Sequence, residues 1–117
     1  MNRKGLKELN DLLKGHKADE GKLRYDLIPA DVEEEIAKVF TFGATKYGDR
    51  NWEKGVDRSR LIAAARRHLA SYLLGHQTDE ECGTHHLANS IVNLMMIIHF
   101  DKVDDALPSG PFDDGFR

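Results

Sequence analysis

Thr84-His85-His86-Leu87-Ala88-Asn89-Ser90-Ile91-Val92-Asn93-Leu94-Met95-Met96-Ile97-Ile98-His99-Phe100 is the stretch whose reading decides the fold. Leu87, Ile91, Val92, Leu94, Met95, Met96, Ile97 and Ile98 leave almost no side of a helix polar. The spacing therefore predicts a helix that runs through a core rather than over a surface. His86, Asn89, Ser90 and Asn93 nonetheless recur along one stripe of it. A buried polar group without a partner costs about 1–3 kcal/mol, so the stripe must be answered by a facing helix or by a ligand. Each residue taken singly is most simply a satisfied packing contact. Their alignment makes the stripe the first place to look for chemistry.

Working outward, a helix should precede this one, capped at Asp57 or Ser59 and stopped at Gly75, with Leu61, Ala65, His68, Leu69 and Tyr72 on its inner face. His68 then points inward. Thr78 and Glu81 have capping-box spacing, so a helical turn could begin there, although Gly83 makes a break equally plausible. Before Gly48, the residues Val32, Ile36, Val39, Phe40, Gly43 and Tyr47 define the face of another helix, with Pro29 in its first turn and Glu35 and Lys46 on one edge of the stripe. A short amphipathic helix over Lys4–Lys14 carries Leu6, Leu9, Leu12 and Leu13 and ends before Gly15. The charged stretch from His16 to Asp26 reads as a loop, and Gly48 to Gly55 as a connection rich in hydrogen-bonding groups. Nothing alternates as a strand would. The expectation is an all-α, four-helix bundle-like domain over 21–100, preceded by a helix and loop (1–20) and followed by an irregular acidic tail (101–117).

A chain of 117 residues without internal repeats is the size of one domain. Its 17 Lys and Arg against 20 Asp and Glu give a net charge of −3, which supplies no general attraction to nucleic acid or an anionic membrane. Cys82 is the single cysteine and cannot close an internal disulfide. With no apolar run of about 18 residues and no signal-peptide pattern, a cytoplasmic setting is expected. Cys82 reads as a small filler.

Two constellations could carry chemistry. His68, the acidic turn Asp79-Glu80-Glu81, and His85-His86 with Asn89 and Asn93 fall near one junction of the last two helices and resemble a mixed oxygen and nitrogen ligand set. Carboxylates suit Mg2+ or Mn2+, whereas imidazole also suits Zn2+, Ni2+ or Fe2+. His85, one position off the stripe, is expected to be exposed, and His16, His76 and His99 to have no special role. The second group is cationic: Lys22, Arg24, Lys46, Arg50, Lys54, Arg66 and Arg67 could meet a polyphosphate. Taken one at a time, such residues are more often solvated partners of nearby acids. Lys46, beside Tyr47 and near Trp52, is better explained by a task. Trp52 could stack on a base or simply fill the core.

The segments Gly21-Lys22-Leu23-Arg24-Tyr25-Asp26-Leu27-Ile28-Pro29, Phe42-Gly43-Ala44-Thr45-Lys46-Tyr47-Gly48-Asp49-Arg50-Asn51-Trp52-Glu53-Lys54-Gly55, Arg67-His68-Leu69 and Asp79-Glu80-Glu81-Cys82-Gly83 with His86-Leu87-Ala88 resemble the phage-associated dATP/dGTP diphosphohydrolase N-terminal domain family. The Lys-Tyr-Gly-Asp-Arg-Asn-Trp loop is the most specific element. The resemblance implies a helical, MazG-like, metal-dependent hydrolase that splits a purine deoxynucleoside triphosphate into monophosphate and pyrophosphate. MazG-like enzymes pair Glu-x-x-Glu with Glu-x-x-Asp, whereas here Lys38 follows Glu35 and Asn89 follows His86 at those positions. On this reading Glu35, Asp79, Glu81 and His86 hold Mg2+ or Mn2+, while His68, Glu81 and Lys46 take part in catalysis. Lys22, Arg24, Lys46, Arg50, Asn51, Trp52, Arg67 and Asn93 contact the nucleotide. The partners expected are a nucleotide substrate and further copies of the chain, at least as a dimer, with no nucleic acid polymer and no membrane. The alternative is a protein that binds or sequesters a nucleotide without cleaving it.

Overall fold

A computed structural model describes residues 2–15 and 17–106. His16 and residues 107–117 of the expected tail lie outside the described residues. Among the described residues four α-helices form: α1 (Arg3–Leu13), α2 (Ala30–Tyr47), α3 (Arg58–Leu73) and α4 (His86–Ala106). Short 3-10 turns at Tyr25–Leu27 and Asn51–Lys54 interrupt the connections. Among the described residues the extended structure amounts to an isolated bridge between Thr78 and His85, so the domain is all-helical as expected. None of the described helices is long and apolar enough to cross a membrane.

Helix α4 is the centre, with α3 and α2 packed against it. Leu61 and Ala65 of α3 and Ala88, Val92 and Phe100 of α4 are the buried apolar residues of the core, and Phe100 is wholly buried. Helix ends follow local chemistry. Asn2 caps α1 by accepting the Gly5 N–H at 2.8 Å. Gly48, at φ 98°, ends α2 while donating its N–H to the Ala44 carbonyl. Arg50 takes the left-handed conformation at φ 55°, which turns the chain into Asn51–Lys54 and back toward α3.

Several expectations need correction. Pro29 sits at the N-cap of α2 in extended conformation, one residue outside the helix; its fixed φ suits that position as well as the first turn. No helical turn starts at Thr78. Helix α4 does not stop at Phe100 but continues to Ala106, because Asp104 is buried against Arg58 at the start of α3. Nor is α4 buried all round: Ile91, Leu94, Met95 and Ile98 are 37–56% exposed, since two flanking helices cover only part of its circumference. Leu69 and Tyr72 of α3 and the leucines of α1 are likewise exposed.

Candidate functional site

The segment from Gln77 to His86 is a tied loop rather than a helix. The His86 N–H donates to the Gln77 carbonyl at 2.9 Å and the Asp79 N–H to the Thr84 carbonyl at 2.8 Å. Within that frame the Asp79 carboxylate closes a turn, its Oδ1 accepting the N–H groups of Glu81 at 2.8 Å and Cys82 at 3.2 Å. Gly83, at φ 70°, supplies the left-handed residue the turn needs. The second carboxylate oxygen, Oδ2, is left 3.9 Å from Nδ1 of His68 on α3. Opposite stands His86, the first residue of α4, whose Nδ1 is 2.9 Å from the same nitrogen. His68, Asp79 and His86 thus bring one ligand atom each within 4.8 Å of one another, and this is the group of that kind found among the described residues.

The electrostatics suit ligation. Burial pushes His68 below the ordinary histidine value, and His86 and Arg67 push the same way against the pull of Asp79, so the ring is held neutral. Burial works against the Asp79 charge, but the donated N–H groups of Cys82 and Glu81, with His68, outweigh it and hold the carboxyl below the usual carboxylate range. Neutral imidazoles and an ionised carboxylate are the forms that bind a divalent cation. The donor set fits one.

The remaining stripe residues are mostly packing contacts. Asn89 donates to Thr84 Oγ1 at 2.7 Å and to the His85 carbonyl at 3.0 Å, and Ser90 Oγ donates to the Ala65 carbonyl at 2.7 Å. The bland reading therefore accounts for these two. His85, expected to be exposed, is half-buried: its Nδ1 accepts the Leu87 N–H at 3.0 Å and its ring lies against Tyr72. That bond serves one of the donors left open at the start of α4.

Of the other predicted residues, Lys46 and Glu81 meet in an exposed ion pair at 2.9 Å, 35 positions apart in sequence, and that pair holds Lys46 above its ordinary pKa. Glu35 is engaged by Lys38 at 2.8 Å and lies outside the three-donor group, as does Glu81. Arg24 is paired with Asp26 through two hydrogen bonds at 2.8 and 2.7 Å, and Lys22, Arg50 and Arg67 are exposed. Asn51, Trp52 and Asn93 line an open, mainly apolar cavity of about 850 Å³ between α2, the 48–56 loop, α3 and α4. Trp52 wedges there against Phe40, Phe100 and the edge of His99, the last at 5.2 Å between ring centres, which gives His99 a packing role. The Asn93 amide donates to the Asn89 carbonyl at 2.8 Å, which leaves its side-chain oxygen to serve as an acceptor.

Cavity and donor cluster are neighbours by helical register. Ala64 lines the cavity one turn from His68 on α3, and Asn93 lines it two turns, roughly 10 Å, from His86 on the same side of α4. Sequence spacing nominated Asp79, His86 and His68, but the Asp79 turn that aims the carboxylate was not legible in it. A capping box and an Asx turn begin with the same kinds of residue.

A helical domain with a histidine–carboxylate cluster beside an open, mainly apolar cavity is the class the fold and site define. The chain belongs to the family described as dATP/dGTP diphosphohydrolase, N-terminal, which matches residues 13–107. A relative named dATP/dGTP diphosphohydrolase, from Salmonella phage PMBT28, is 39% identical over 83 residues, covering 71% of this chain and 28% of the relative. The chain thus spans little more than a quarter of that relative's length. No solved structure matches.

Proposed function

We propose that the chain is a metal-dependent nucleotide diphosphohydrolase unit that cleaves a purine (d)NTP to monophosphate and pyrophosphate. The observation that carries this reading is the convergence of His68, Asp79 and His86 beside the cavity holding Trp52. Family membership points the same way.

In this proposal the base enters the cavity, where Trp52 and Asn51 offer contact area and the Asn93 oxygen accepts a hydrogen bond from a purine N–H. The triphosphate extends toward the cluster and Lys46. A divalent ion bound there would neutralise phosphate charge and acidify a water molecule. Lys46 exchanges Glu81 for a phosphate oxygen, an exchange made easy by the exposure of the pair. The freed Glu81 carboxylate can then accept a proton from the attacking water. The water oxygen bonds to the α-phosphorus as the bridging oxygen departs with pyrophosphate. Arg50 and Arg67 add positive charge at the rim. We also propose that two copies pair through the exposed row Ile91, Leu94, Met95 and Ile98 of α4, which neither α2 nor α3 covers.

Incubating the protein with a panel of (d)NTPs and Mg2+ or Mn2+ tests the reading. Release of pyrophosphate that is lost in Lys46→Glu and His86→Ala supports it, with quenching of the single tryptophan reporting occupation of the cavity. Quenching without turnover identifies a nucleotide-binding protein instead. The absence of both quenching and turnover with every purine triphosphate refutes the proposal.

A further inference from the structure

We infer that His68, Asp79 and His86 form a two-histidine, one-carboxylate site selective for a first-row transition ion over Mg2+, with His68 a metal ligand rather than a proton shuttle. The inference deepens the hydrolase reading by resting on its claim that this cluster holds an ion, but it needs no turnover to be true.

Three features carry it. The first is separation. Two nitrogens bound side by side to one ion at about 2.1 Å stand about 3.0 Å apart at a right angle and about 3.4 Å apart at the tetrahedral angle. The Nδ1 atoms of His68 and His86 are 2.9 Å apart. An ordinary N–H···N bond accounts for the two rings, but not for a carboxylate oxygen aimed at the same place from 3.9 Å, beyond hydrogen-bond reach. The second is rigidity. Asp79 is locked by two backbone donors on its other oxygen, and the loop carrying it is tied by the His86-to-Gln77 and Asp79-to-Thr84 bonds. His68 and His86 stand on the two helices that pack most closely. The ligand atoms are therefore held near one another before an ion arrives.

The third feature is donor chemistry. Mg2+ takes oxygen ligands in a near-ideal octahedron and gives up water reluctantly, so a site two-thirds nitrogen serves it poorly. Imidazole prefers the later first-row ions, and two histidines with one carboxylate leave coordination positions open for water or a phosphate oxygen. Of the other carboxylates the sequence nominated, Glu81 is paired with Lys46 and Glu35 with Lys38, and neither joins the three-donor group.

The test contains no nucleotide. Chelator-treated full-length protein is titrated calorimetrically with Mn2+, Co2+, Zn2+ and Mg2+ separately, and the Co2+ form is followed by its visible absorption. The expected result is one transition ion per chain, bound at least roughly tenfold more tightly than Mg2+ and weakened by roughly tenfold or more in His68→Ala and in His86→Ala. Glu35→Gln should leave affinity unchanged. Should His86→Ala fail to fold, wild-type NMR decides: substoichiometric Mn2+ should broaden the ring signals of His68 and His86 well before that of His99, which lies about 20 Å along α4 from His86. Equal affinity for Mg2+ and Mn2+, Co2+ binding that survives loss of His68, or broadening that spares His68 overturns the inference. Metal selectivity without hydrolysis would sink only the diphosphohydrolase reading.

Discussion

Replacing Arg58 by methionine should cost this domain a large part of its stability. Arg58 is the first residue of α3 and is 2% exposed, yet it carries a full charge. It donates to Asp101 at 2.9 Å and to Asp104 on the last turns of α4, so one guanidinium ties the start of one helix to the end of the other. Asp101 is 49% exposed and contributes at most about 1 kcal/mol. Asp104 is 7% exposed and decides the magnitude, because deleting one partner of a buried pair leaves the other charge uncompensated, at about 3–5 kcal/mol. Against a total of about 5–15 kcal/mol for a domain of this kind, that is about a fifth or more. The assay is urea unfolding followed by circular dichroism, with the midpoint falling by roughly 2 M for a denaturant slope of about 2 kcal/mol per molar. The double variant Arg58→Met, Asp104→Leu should recover most of the loss, since an apolar pair of similar size can replace a buried ion pair. Metal affinity should survive in the double variant, because Arg58 lies nearly three turns, about 15 Å, from His68. A loss below about 1 kcal/mol in the single variant would refute the reasoning, showing that Asp104 escapes the buried charge on its own.

Two further outcomes follow from the same contacts. His68 is held below its ordinary pKa in the folded state, so the unfolded chain takes up that proton first as pH falls, and stability rises with pH through this range. The metal-free protein should therefore keep this contribution above about pH 6.5 and lose it as pH drops through the lower folded value; thermal midpoints at pH 7.5 and 5 should differ less in His68→Gln than in wild type, and equal differences count against it. Asn89→Ala removes the bonds to Thr84 Oγ1 and the His85 carbonyl inside a buried junction and should cost about 1–3 kcal/mol in urea unfolding, with a neutral result contradicting the packing role given to Asn89.

The helices were legible because their signals are local. Leu61, Ala65 and His68 recur at the period of a turn, and Gly48 and Gly75 break the chain where a positive φ is needed. The same logic left Thr78–Glu81 open between a helical turn and a break, and the Asp79 carboxylate decided it by capturing two backbone donors and closing a turn. It also overstated the burial of α4: residue spacing records which side chains are apolar, and not how many neighbours arrive to cover them. Lys46 was singled out from the sequence, but its partner Glu81 could not be named from a separation of 35 positions.

By itself the sequence determined an all-helical chain, the family, and the short list of imidazole and carboxylate groups from which a site could be drawn. Only the tertiary structure decided which of them meet. It set His68, Asp79 and His86 together, drew Glu81 to Lys46, and buried Arg58 between two acids. The reason is one of range: helix hydrogen bonds join residues four apart and are written in local order, whereas the approach of α3 to α4 is set by packing of side chains distant along the chain.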